Sequence, residues 1–293
     1  MTMNKKIAFI LLCMVCVLGK TFAQNPNFHI YLSLGQSNME GNAKFEPQDT
    51  VGVNPRFKVL EALDCPNLNR KMGQWYTAVP PLCRCNTGLT PVDYFGRTML
   101  EYLPSSVNVG VINVSIGGCK IELFDKDKTD SYVATVAPNW MKNMIKEYDG
   151  NPYRRLVEMA KLAQKEGVIK GILLHQGESN TNDTTWTKKV KIVYDNLLQD
   201  LNLPPDSVPL LAGETVHAEQ GGICASMNTI IATLPKTIPT ARIISSKGCT
   251  DAADNLHFDA AGYRELGKRY AFMMLDVLGY KVPVSKKLGN NAK

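Results

Sequence analysis

Several large functional classes are excluded by what this sequence has little of. It holds 4 histidines in 293 residues, and beyond residue 23 no Cys-x-x-Cys pair occurs. The ligand spacings of a structural zinc site are therefore missing, and no metal or cofactor is expected. Past the N-terminal stretch no apolar run is long enough to span a bilayer, so no membrane span is expected. Charge of one sign is scarce as well. The net charge of +6 falls to +3 once Lys5, Lys6 and Lys20 leave with a cleaved leader, too weak a bias for a nucleic-acid partner. There is no internal repeat and no low-complexity segment.

The first 23 residues stand apart. Lys5 and Lys6 precede an apolar stretch from Ile7 to Leu18, and Thr21-Phe22-Ala23 resembles a small-residue cleavage site. This is the pattern of a secretory signal peptide, too short and wrongly flanked for a stable span. Cleavage after Ala23 is expected, leaving a secreted or periplasmic protein that starts at Gln24. Cys13 and Cys16 lie inside the apolar stretch without the context of a lipoprotein site. Six cysteines remain: Cys65, Cys83, Cys85, Cys119, Cys224 and Cys249. An even number in an exported chain is compatible with disulfides, but spacing does not choose the pairing. Cys83 and Cys85 are too close for an ordinary bridge to each other, so at least one is expected to pair elsewhere, with Cys65 the nearest candidate.

The rest of the chain, with 44% apolar residues, carries enough hydrophobic side chains for a core. Strand patterns run over Ile30 to Leu34, Asn108 to Val114, Ile169 to Leu174, Val208 to Ala212 and Arg242 to Ser245. Helical patterns fall at Tyr94 to Leu103, Asn151 to Glu166, Trp186 to Leu201 and Gly262 to Leu278. Apolar strands alternating with amphipathic helices predict an α/β fold whose parallel sheet is covered on both faces. One domain over 24–281 is expected, followed by a polar tail at 282–293. Residues 41–91, with six prolines and three cysteines, fall outside this rhythm and read as an insertion after the first strand. That insertion forms either a wall of the substrate cleft or a cover over one sheet edge.

Four segments follow predicted strands, the end of an open α/β sheet where ligands bind. Gly35-Gln36-Ser37-Asn38-Met39 places a serine in a turn that its glycine makes sharp. A serine hydroxyl needs a neighbouring base to act as nucleophile. Met39 replaces the second glycine of the G-x-S-x-G elbow, which argues against the α/β-hydrolase fold. His257 is the histidine with an acid, Asp254, placed to orient it. Read singly, a serine such as Ser37 is usually a turn or cap residue, and Asp254 is equally a helix cap, with Asp259 a competing cap. Gly117-Gly118 lets backbone approach a ligand and point an N–H inward. In His175-Gln176-Gly177-Glu178 the Gln176 amide is a candidate oxyanion donor. His175 and Glu178 lack a third metal ligand, and Glu178 reads as a positioning residue. Gln36, Asn38, Cys119 and Glu178 are candidate site-lining residues, and Cys119 becomes inert if it bridges to Cys224 or Cys249.

These segments, in this order, resemble the SGNH (GDSL-type) hydrolase superfamily, and within it the sialate O-acetylesterase-like and acetylxylan esterase branch, carbohydrate esterase family 6. Leu89 to Gly96 and Ala260 to Gly267 are similar to further family segments, so the likeness covers almost all of the mature chain. It implies a flavodoxin-like three-layer α/β/α sandwich. It also implies a Ser37–His257–Asp254 triad, and an oxyanion hole from the Ser37 and Gly118 amides and the Gln176 side chain. The chain departs from the pattern at Cys119, where the family commonly has a small hydroxyl residue. The resemblance implies an acetylated carbohydrate substrate, with acetylxylan-type plant polysaccharide first and O-acetylated sialic acid as the alternative. Two rivals are a non-catalytic carbohydrate-binding module on the same fold and a lipase-like esterase, the latter lacking any long apolar stretch to serve as a lid.

Overall fold

Side chains along a strand alternate between two faces, and here both faces of the central strands are buried. Ile30, Leu32 and Leu34 enter one core cluster while Tyr31 enters the other. That two-sided burial is why these strands read as continuous apolar runs. The computed structural model describes residues 24–282. The leader expected over 1–23 and all of the expected tail but Val282 lie outside the described residues. Val282 itself is buried against the second cluster and so does not belong to a polar tail.

Among the described residues seven strands form one sheet. They are β1 (Asn25–Gly35), β2 (Phe57–Leu60), β3 (Trp75–Thr77), β4 (Asn108–Ser115), β5 (Gly167–His175), β6 (Leu210–Gly213) and β7 (Ala241–Ile244). Their spatial order is β3-β2-β4-β1-β5-β6-β7, parallel throughout except for the β2–β3 pair. Helices Pro152–Ala163 and Trp186–Asp200 cover the face of Ile30, and helices Pro91–Tyr102 and Ala260–Val277 cover the face of Tyr31. The result is the expected α/β layering around a mainly parallel sheet.

The segment 41–91 departs from its sequence reading. Rather than lying outside the sheet, it supplies β2 and β3, which extend the edge beside β4. Its strands are only 4 and 3 residues long, too short to show a periodic pattern among prolines. A Cys65–Cys85 disulfide with a Cα–Cα distance of 5.3 Å closes it. Cys83, Cys119, Cys224 and Cys249 are free thiols.

Candidate active site

The sheet brings the sequence segments to one level. Gly35, the last residue of β1, pairs with Ser115 of β4 on one side and His175 of β5 on the other. The three loops after these strands therefore leave the sheet side by side. From β1 the chain builds the sheet first towards β2 and β4 and later towards β5, so the crevice of the switch point opens at this end. Gly35 is required here because a β-carbon on it would lie 2.1 Å from the His175 carbonyl oxygen.

Ser37 opens a single-turn helix, Ser37–Glu40. Its Oγ lies 2.8 Å from His257 Nε2. On the other side of the ring, Nδ1 is 2.7 Å from Asp254 Oδ2. The remaining oxygen, Asp254 Oδ1, accepts the N–H groups of Leu256 and His257, both at 3.0 Å. Burial pushes the Asp254 carboxyl up. The His257 N–H, the His257 ring and the Leu256 N–H outweigh it and bring it down from 3.8 to about 2. A lowered carboxyl favours the folded state above the unfolded pKa, and that contribution is lost only as pH falls towards about 2. Asp254 is therefore charged across the neutral range. It does not cap the last helix. Asp259 does, accepting from Gly262 N at 2.7 Å.

The residues flanking Ser37 hold the loops around it. Asn38 is fully buried. Its Nδ2 donates to Glu178 Oε1 at 2.6 Å and to the Leu256 carbonyl at 3.0 Å. Its Oδ1 accepts from Phe258 N at 3.2 Å and from Tyr263 Oη at 2.8 Å. One amide thus fastens the backbone on both sides of His257 to the serine turn. Gln36 does the same for another loop, its Oε1 accepting from Gln176 Nε2 and from Ser179 N at 3.1 and 3.2 Å. Gln36 and Asn38 are braces rather than lining residues. Glu178 is buried under Asn38, with His175 Nε2 3.5 Å away. Burial raises its carboxyl, but His175 and Asn38 lower it further, so it stays ionised.

Two backbone donors in the loops after β1 and β4 lack an acceptor: neither the Ser37 nor the Gly118 N–H has a partner among the described residues. Gly118 takes a left-handed φ of 70°, which glycine adopts without strain. Its carbonyl is fixed by Ser179 Oγ at 2.8 Å. Gln176 differs from expectation. An amide has two N–H protons, and Gln176 Nε2 is already surrounded by Asn180 Oδ1 at 2.8 Å, Gln36 Oε1 at 3.1 Å and the Cys119 carbonyl at 3.3 Å. Its carbonyl oxygen accepts from the Trp186 indole. Buried and occupied, Gln176 ties the oxyanion loops together and has no proton left for a substrate. Cys119 is also buried, its thiol against the Gly35 carbonyl at 3.6 Å, and burial pushes that thiol well above its usual value. It is neither bridged nor exposed as a nucleophile.

Sequence reasoning missed Glu40. This buried carboxylate lies against Gly117 and pairs with Arg84 at 2.8 Å. Burial raises its carboxyl while Arg84 opposes the rise. Glu40 stands one residue past Asn38-Met39 in the same turn, so its proximity to Ser37 was visible. Its partner Arg84, 44 residues on, was not.

A family model described as "Carbohydrate esterase, sialic acid-specific acetylesterase" matches residues 27–276. Among solved structures, a protein from Arabidopsis thaliana superposes with a TM-score of 0.66 at 22% identity, covering 86% of this chain and 99% of its own. NanS gives 0.60 at 14% identity, covering 87% of this chain and 99% of its own. A carbohydrate acetylesterase from Xanthomonas citri gives 0.59 at 15% identity, covering 85% of this chain but 56% of its own. At these identities the structural likeness is one of fold.

Proposed function

We propose, from the premise that this chain belongs to the carbohydrate esterase family of sialic acid-specific acetylesterases, that it is exported and removes O-acetyl groups from acetylated plant polysaccharide of the acetylxylan type. Carbohydrate acetylesterase chemistry comes with the family. The observation that carries the mechanism is the continuous relay from Ser37 Oγ through His257 to Asp254 beside two unpaired N–H groups. In this mechanism Ser37 Oγ attacks the acetyl carbonyl as His257 Nε2 takes its proton. The Ser37 and Gly118 amides hold the negative oxygen of the tetrahedral intermediate. His257 then returns the proton to the departing sugar oxygen, leaving an acetyl-enzyme. Water, deprotonated by His257, attacks that ester, and collapse releases acetate and the free serine. Asp254 keeps the imidazole in one tautomer and offsets its transient charge.

The polymer reading is supported by openness. The Asp254 side chain is 50% exposed, so the relay stands at the surface where a long chain can pass. A groove of about 530 Å³ opens from Glu40, lined by Asn42, Lys44, Arg84, Asn86 and Thr87. Ala43 and Phe45 add apolar surface to these polar side chains, a mixture that suits the hydroxyls and C–H faces of a sugar, and the groove's walls are the two ends of segment 41–91.

A second reading, O-acetylated sialic acid, is favoured by the family's own description and by one groove residue. Arg84 is paired with Glu40 and Glu147, whereas Lys44 has no acidic partner among the described residues. A sialic acid carboxylate has Lys44 available to it. An exposed pair of this kind is worth about 0.5–1 kcal/mol, so Lys44→Ala is expected to raise KM for O-acetylated sialic acid roughly two- to fivefold and to leave acetylated xylan unchanged. Acetate release measured side by side on the two substrates decides between them. Release from xylan alone supports the polymer reading, and release from sialic acid alone overturns it.

A further inference from the structure

Of the 3 tryptophans, two have their indole N–H groups bound inside the protein: Trp75 donates to Glu166 and Trp186 to Gln176. Trp140 is different. It lies near the start of helix Asn139–Glu147 and is 56% exposed, and its N–H meets no acceptor among the described residues. Tryptophan gains more than most side chains from leaving water, so one standing largely in solvent is informative.

Its position is specific. The ring packs on Gly118, where a β-carbon would lie 2.7 Å from Trp140 Cη2. Gly118 is the residue whose unpaired N–H faces the acyl oxygen in the mechanism above. Met144 and Glu147, on the same helix face one and two turns on, are both held by Arg84. The helix that carries the ring is therefore anchored to the groove wall, and the ring is presented at the rim of the site.

The geometry points to Trp140 as a sugar-stacking platform, an inference that rests on the carbohydrate reading. A pyranose ring has one face of C–H groups, whose slight positive charge matches the negative face of an indole. Trp140 takes that face of the sugar bearing the acetyl group and its N–H donates to a neighbouring hydroxyl. The sugar is thereby held while the ester carbonyl lies against Gly118. Trp140 binds the leaving-group side of the substrate and takes no part in proton transfer.

The test compares the wild type with Trp140→Ala and Trp140→Phe on an acetylated xylo-oligosaccharide, on O-acetylated sialic acid and on ethyl acetate, which has no ring to stack. Trp140→Ala is expected to raise KM for the saccharide substrate about five- to tenfold, with kcat/KM for ethyl acetate within about twofold of wild type, and Trp140→Phe to recover much of the loss. Equal losses on saccharide and ethyl acetate would overturn the platform and mark a packing role beside Gly118. Unchanged saccharide kinetics in Trp140→Ala would overturn it too, leaving the carbohydrate reading intact. A wild type that cleaves ethyl acetate but neither saccharide removes the carbohydrate reading, and the platform with it.

Discussion

Ser37→Ala is expected to lower kcat on acetyl esters by about 10⁴–10⁶-fold, as removal of a serine nucleophile does in other relays. The same change should move the melting temperature by no more than about 2 °C, because only one side-chain hydrogen bond, to His257 at 2.8 Å, is lost. The two readouts together matter. Activity loss without unfolding assigns Ser37 to the chemistry, whereas loss of both would make it a structural turn residue. Retained activity would sink the nucleophile assignment. A fluorophosphonate that labels the wild type and not Ser37→Ala would set aside the non-catalytic binding-module alternative, since a module that only binds sugar has no use for an activated hydroxyl. Within the pH range in which the enzyme is assayed, Asp254 contributes no inflection of its own to the profile, because it stays ionised down to about 2.

Asn38→Ala should produce the second-largest effect, and on stability as well as rate. Four partners lose their hydrogen bonds at once: Glu178 Oε1, the Leu256 carbonyl, Phe258 N–H and Tyr263 Oη. The side chain is 0% exposed, so water does not readily replace it. Leaving buried polar groups unpaired costs about 1–3 kcal/mol each, and more for a charge such as Glu178, with partial relaxation lowering the sum. A total of roughly 3–5 kcal/mol would lower the melting temperature by about 10 °C. Because Leu256 and Phe258 flank His257, the imidazole should also drift from Ser37. A displacement near 1 Å corresponds to about a hundredfold loss in kcat. Thermal melts and kinetics at 25 °C separate the two parts. A lower melting temperature with normal kcat would show that Asn38 braces the fold without positioning His257. Asn38→Asp is expected to do no better, since it keeps the acceptor but sets a second carboxylate against Glu178.

Much of the framework was legible because it is written in local pattern. β1, β4 and β5 are strands of 8 to 11 residues whose apolar centres are long enough to stand out. The helices over Pro91–Tyr102 and Ala260–Val277 were read from their apolar patterns, the second with Asp259 as a candidate cap, whereas the cap at Thr90 emerged only in the structure. The edge strands Phe57–Leu60 and Trp75–Thr77 were not legible, since strands that short have no period to read and are defined only by pairing with distant neighbours. The same limit applied to the helix bearing Trp140, whose 9 residues follow Pro138 in a polar stretch.

The amino-acid sequence by itself determined the α/β alternation and which residue types stand in the loops after the strands: a serine in a glycine turn, a glycine pair, and an aspartate three before a histidine. These depend on neighbours within a few residues, and sequence order preserves them. The tertiary structure decided which way the polar side chains point. Gln176, an expected oxyanion donor, is turned inward by Gln36 and Cys119, 140 and 57 residues away. Asn38 becomes a clamp through Leu256 and Tyr263, more than 200 residues further on. Hydrogen bonding is directional, and an amide satisfied by buried partners cannot also serve a substrate. Which partners reach it is settled only when the sheet has brought β1, β4 and β5 to the same level.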